Sequence, residues 1–252
     1  MITQPAISGY ALQLGDDALV MAQRLAEWVS RAPELEEDVA LANIALDLLG
    51  QARALLSYAG EVEGRGRTED DLAYFRDERE FSNLQITELG CRDFGEAIAR
   101  LLAFSGYQFE LYQRLQHSRD EILAAVAAKA VKEVAYHRDH ATQWTLRLGD
   151  GTEESHRRMQ AGLVRVWPYT DEMFRADPAG QALAADGRAV DAVDLRPAWA
   201  DYVTGVLREA TLTWPETAAA PGGGRQGRHT EQLGHLLAEM QYLARCHPGA
   251  RW

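Results

Sequence analysis

Ala127, Ala130, Val134, His137, Ala141, Trp144 and Leu148 step by three and four along the chain. That period makes them the inward seam of a long helix, so the His137 imidazole points at a core. An imidazole there could serve a carboxylate-bridged di-iron centre, which takes a Glu-x-x-His pair from each of two helices and a carboxylate from each of two others. Three residues before His137, however, stands Val134. Of the seven histidines, only His156 follows a glutamate, Glu153, at that spacing. An acidic first turn after Gly151-Thr152 explains this pair without a metal, because a helix N-terminus favours negative charge. Glu133, His137 and His140 share a face at i, i+4 and i+7 and form an alternative mononuclear set. Read structurally, Glu133 positions His137 at the rim of the core and His140 lies nearer solvent. Asn43, Asp47 and Gln51 make a polar line at four-residue steps, either a buried hydrogen-bond network or a ligand face, although amides are weak ligands for iron or zinc. The half-site suggests a scaffold on a metal-oxygenase plan that lacks the metal.

Other chemistries find no footing. The chain has no Gly-x-Ser-x-Gly, P-loop or dinucleotide fingerprint, and Gly222-Gly223-Gly224 is a lone glycine cluster. Its two cysteines, Cys91 and Cys246, form no C-x-x-C, which disfavours zinc and iron–sulfur sites and fits a reducing compartment. A formal charge of −12 is a poor basis for binding a phosphate backbone, so no nucleic-acid partner is expected. The N-terminus lacks the basic start and apolar run of a signal peptide, and no apolar stretch is read as approaching the roughly 20 residues of a membrane span. The expectation is a cytoplasmic protein without a membrane partner.

The elements that must position His137 are helices. Leu14, Ala18, Met21, Leu25 and Trp28 form a first seam that ends at Ala32-Pro33. Glu34, Glu36 and Glu37 open a second helix, whose seam is read as Leu35, Val39, Ala42, Leu46, Leu49 and Leu56 and whose end is placed before Gly60. A third element is placed at residues 76–88, a fourth from Phe94 to Leu115, and the His137 helix at residues 120–148. Met159, Leu163, Val166, Thr170 and Phe174 follow on a helix bent or broken at Pro168. Residues 177–191 read as an insertion or long loop, and helices resume at 194–211 and 230–246. Between these last two lies Pro-Glu-Thr-Ala-Ala-Ala-Pro-Gly-Gly-Gly-Arg-Gln-Gly-Arg-His, a mobile linker by composition. The mixed-charge run Arg76-Asp77-Glu78-Arg79-Glu80 reads as a solvated face or, with Phe81, as a partner-docking segment. No period of two persists, so the fold is all-α, with a four-helix-bundle core and additional helices in a single domain, 1–252.

Four segments carry a resemblance: APELEEDVALANIALDLLGQARALLSYAG, RDEREFSNL, KAVKEVAYHRDH and HTEQLGHLLAEMQYL. Spread from Ala32 to Leu243, they resemble the C subunit of the multicomponent phenylacetyl-CoA oxygenase, a ring 1,2-epoxidase of aerobic phenylacetate degradation. The resemblance implies a ferritin-like bundle acting as a non-catalytic structural subunit. It implies partners as well: a di-iron catalytic A subunit, a small B subunit and a reductase. Asp47-Leu48-Leu49-Gly50-Gln51 aligns with an Asp-Glu-Leu-Gly-His stretch of the catalytic relative, setting Leu48 at a Glu position and Gln51 at a His position. Val134 and His137 align with a Glu-x-x-His pair. Three of these four ligand positions are therefore lost, and no metal or other cofactor is expected in this chain. Two alternatives stand beside this reading: a metal-dependent oxidoreductase using Glu133, His137 and His140 or Glu153 and His156, and a stand-alone homodimeric interaction protein.

Overall fold

The computed structural model describes residues 4–250. Among these residues every regular element is a helix, an all-α fold consistent with the ferritin-like helical bundle implied by the sequence. The chain forms two compact units, Cys91–Pro221 and the remainder, Met1–Gly90 with Gly222–Trp252.

In the remainder, helix α1 (Gln4–Ala26) packs on α2 (Leu35–Glu63). The expected α1 seam from Leu14 to Trp28 is buried throughout. The α2 seam is not the expected one. Leu35, Val39 and Leu46 are 74%, 54% and 63% exposed; of the expected seam Leu56 is buried, and the core face otherwise carries Leu41, Ile44, Leu48 and Leu55. A helix that is apolar on nearly all sides does not reveal by period which side it buries. By length and composition α2 could also cross a bilayer, contrary to the reading of the sequence. Core helices of soluble proteins pass the same test, and α2 lays its buried side on α1.

Gly60 does not end α2, which runs on to Gly64, a left-handed C-cap at φ 71° whose N–H donates to the Gly60 and Glu61 carbonyls. Gly60 instead lets the returning chain pass, since a Cβ there would lie 2.2 Å from the Arg67 carbonyl oxygen. Helix α3 (Glu69–Tyr74) opens on a capping box between Thr68 and Asp71. Residues 76–88 are not one helix. They comprise a 3₁₀ turn, Glu78–Glu80, then extended chain at Phe81 and Leu84, then the single turn α4 (Gln85–Glu88). In the other unit α5 (Phe94–Leu115) starts on Asp93, whose carboxylate accepts the Glu96 N–H.

Helix α6 (Glu121–Gly149) buries Ala127, Ala130, Val134, His137 and Ala141 as expected, then shifts its buried line to Thr145 and Gly149. Trp144 is half-buried and meets Phe94 edge-on at 4.9 Å. Helix α7 (Glu153–Val166) crosses α5 at Gly162, where a Cβ would lie 2.8 Å from the Glu96 Cα. It gives way at Trp167–Tyr169, where Pro168 removes a backbone donor and the chain tightens into 3₁₀ turns. Residues 177–191 hold a helix, α8 (Pro178–Ala185), where a loop was expected. Its signal was present: Asp177 caps the Gly180 N–H and Pro178 takes the first turn. Trp199 of α9 (Arg196–Glu209) donates its indole N–H to the Ala103 carbonyl of α5 at 2.9 Å.

Helix α10 (Glu231–Cys246) belongs to the same unit as α1 and buries Leu233, Leu236 and Leu237. Met240 and Leu243, expected on its seam, are half-buried and exposed.

The glycines of α2 give a paired test. Gly60→Ala is expected to lower stability by about 1–3 kcal/mol through overpacking against the Arg67 carbonyl. Gly50→Ala, on an exposed site with nothing within 4 Å of the added methyl, is expected to raise stability by about 0.5–1 kcal/mol. Urea denaturation of both variants measures the two signs.

Candidate functional site

Leu48 and Gln51 lie on the buried side of α2, and Val134 and His137 on the buried side of α6. Leu48 and Val134 have hydrocarbon side chains and can donate nothing to a metal, so these positions do not fit a di-metal centre. The alternative ligand sets have other engagements. The Glu133 carboxylate is 3.3 Å from Lys129 Nζ. His140 is half-buried and packs 6.1 Å from the Tyr136 ring, and burial, then His137 and Arg147, lower its pKa from the ordinary imidazole value. His156 Nδ1 lies 2.7 Å from the Gly149 carbonyl and donates to it, so the ring caps the end of α6. Next to Glu153, Glu154 holds Arg157 and Arg158, whose hydrogen bonds draw its carboxyl down to about 2. Among the described residues no group of three or more His, Cys, Asp or Glu is gathered to hold a metal ion.

The Arg76–Arg79 segment divides. Arg76, read as a docking residue, is only 2% exposed. Its guanidinium forms a two-pronged ion pair with Asp16, donates to the Leu72 and Glu80 carbonyls, and lies 4.1 Å over the Phe81 ring. Arg76 is therefore an interior residue and leaves the docking set, because a buried carboxylate needs a cation more than a surface does. Asp77, Glu78 and Arg79 are exposed, and Asp77 pairs with Arg245 of α10 at 3.2 Å.

The largest departure from the sequence reading is the segment read as a mobile linker. Its second half, residues 222–229, is a strap tied into the unit of α1. Arg225 forms a two-pronged ion pair with Asp17, at 3.0 and 2.7 Å, and donates to the Gln13 and Ser82 carbonyls. Burial pushes the Asp17 carboxyl up to about 6 against the pull of Arg225 and the Leu84 N–H. Such an upward shift stabilises the folded chain most in acid, and the gain is lost as pH rises through about 6. Gly224 and Gly227 let the strap touch backbone, since a Cβ at either would lie 2.1 Å from the Asn83 and 2.3 Å from the Arg79 carbonyl oxygen. His229 closes the strap onto Glu88 at 2.6 Å.

The model of the phenylacetic acid catabolic protein family matches residues 2–252. The chain belongs to that family. It is 50% identical over 246 residues to the C subunit of the 1,2-phenylacetyl-CoA epoxidase of Escherichia coli (strain K12), covering 98% of this chain and 99% of that protein. In this family member the buried acids Asp16 and Asp17 serve ion pairs that join distant segments of the α1 unit. The adjacent acids Asp16 and Asp17 on an otherwise apolar seam were the signal for them, since buried carboxylates demand cations.

Arg76→Ala is expected to cost about 3–5 kcal/mol, because it strands the buried Asp16 carboxylate. The double change Asp16→Asn with Arg76→Met is expected to recover part of that loss. Chemical denaturation of the three proteins measures both effects.

Proposed function

We propose that the chain is the structural, non-catalytic C subunit of a multicomponent phenylacetyl-CoA 1,2-epoxidase of aerobic phenylacetate degradation, working in the cytoplasm. On this reading it supports the di-iron catalytic A subunit, and a small B subunit and a reductase complete the system. The observation that carries the proposal is the 50% identity over nearly the full length to the corresponding Escherichia coli protein. Two features of the chain support it. Oxygen activation requires a redox metal or an organic cofactor, and Leu48 and Val134 stand where donors would be needed. Along α2, Leu35, Val39 and Leu46 present an exposed apolar face, the kind of surface that a partner covers. The chain's part is then to bury apolar helix surface and to hold the catalytic partner in its working shape. An obligate interface of this kind buries on the order of 2,000 Å² or more.

The test is metal content and turnover, measured for the purified chain alone and after co-expression with the di-iron subunit. Expected are no stoichiometric iron and no oxygenation by the chain alone, and a hetero-complex in gel filtration that turns over with its reductase. Stoichiometric iron and turnover by the chain alone would instead favour a metal enzyme built on Glu133, His137 and His140. A homodimer that ignores the di-iron subunit would favour the stand-alone protein.

Two variants refine the proposal. Val134→Glu is expected to yield no oxygenation by the isolated chain, because Leu48 and Gln51 remain in place, and product analysis by mass spectrometry reads the outcome. Arg79→Glu reverses an exposed charge of the docking segment without touching the buried Arg76. It is expected to weaken association with the catalytic partner by about 1 kcal/mol or less, as rim charges do. An unchanged affinity in calorimetry would remove this segment from the interface.

A further inference from the structure

His229 lies immediately before Thr230, the N-cap of α10, and its side chain is fully buried against Glu88. Its two ring nitrogens face two oxygens: Nδ1 is 2.6 Å from Glu88 Oε1, and Nε2 is 2.9 Å from the Phe81 carbonyl. A neutral imidazole has one N–H and one lone pair, so one of these contacts would set a lone pair against an oxygen. With Glu88 ionised, both contacts are satisfied only when the ring carries two protons. Glu88 is correspondingly arranged as an anion. Its Oε1 also accepts from Asn83 Nδ2 at 3.0 Å, and its Oε2 accepts from the Thr230 N–H and hydroxyl at 2.8 and 2.7 Å. Buried pairs of this kind are strong while both partners are charged and costly once one is not.

Charge around the ring favours the proton. Burial opposes it, but the Glu88 hydrogen bond and charge, the Phe81 carbonyl and then Glu78 of the 3₁₀ turn outweigh burial and lift the imidazole above its ordinary value. On the α1 side the charged group is Arg24, which donates Nε to the Glu88 carbonyl and Nη2 to the Gln232 carbonyl. Further polar ties hold the strap and α10. Gln85 donates to the Arg228 carbonyl, Gln241 to the Ala73 and Arg76 carbonyls, and Arg245 to the Tyr74 and Arg76 carbonyls. Leu233, Leu236 and Leu237 hold the apolar side of α10, while its first turn is held at Thr230 by the Glu88 carboxylate.

We propose that His229 and Glu88 form a proton-gated clasp: the imidazolium locks the strap and the start of α10 onto α4 and the Phe81 turn, and loss of one proton lets that segment open. The sign follows from linkage. A histidine whose folded value is raised contributes stability that is fully present below the ordinary imidazole value, and loses it as pH rises through the folded value.

Hydrogen exchange on the full chain, corrected for intrinsic rates, tests the clasp across pH 6 to 9. Protection of the α10 amides is expected to fall by about tenfold for each unit that separates the folded value from the ordinary one, while α5 and α6 hold theirs. In His229→Gln the α10 amides are expected to be less protected at pH 6 and nearly independent of pH. Protection of α10 that stays constant in the native chain, or that falls equally in His229→Gln, would overturn the proposal. The native chain also supplies a test that needs no variant: the His229 Cε1–H resonance should titrate above the ordinary imidazole value. A midpoint at or below that value would overturn the proposal too.

Discussion

Two consecutive carboxylates buried on one helix govern how half of this chain folds. Asp16 and Asp17 sit within the otherwise apolar face of α1, where an unpaired charge would cost several kcal/mol. Each must find a cation, and neither finds it nearby: Arg76 is 60 residues away along the chain and Arg225 is 208. Meeting that demand draws the turn after α3 and the strap before α10 to the same stretch of α1. Ser82 and Leu84 then use the remaining carboxylate lone pairs through their backbone N–H groups. Such pairs add less net stability than their geometry suggests, but they are specific, because few other placements of these segments would leave the charges satisfied. The glycines at 224 and 227 belong to the same constraint, since only a chain without side chains at those points can lie against the Asn83 and Arg79 carbonyls.

The long helices follow the opposite rule. Leu48 on α2 and Val134 on α6 are fully buried hydrocarbon, an environment that rewards packing and disfavours a metal ion. Asp16 and Asp17 thus join segments, while Leu48 and Val134 contribute through packing and the hydrophobic effect. The proposed role, lending shape to a catalytic partner, calls for this combination. Along α2, Leu35, Val39 and Leu46 leave an apolar face exposed.

Much of the fold was legible without coordinates. Apolar residues at helical period along α6, the start of that helix near residue 120 and the break near Pro168 depend on local energetics, and they stand where the sequence put them. The same holds for the inward seam through Val134 and His137, and for the absence of donor atoms at Leu48 and Val134, which is a property of residue type alone. Tertiary structure alone decided which side of α2 is core, because that helix is apolar nearly all round and its period favours no face. It alone moved Arg76 from surface to interior and turned a glycine-rich linker into a strap. Composition reports the flexibility of an isolated segment. Whether that segment is then held depends on charges that lie tens to hundreds of residues away, and only the folded chain brings them together.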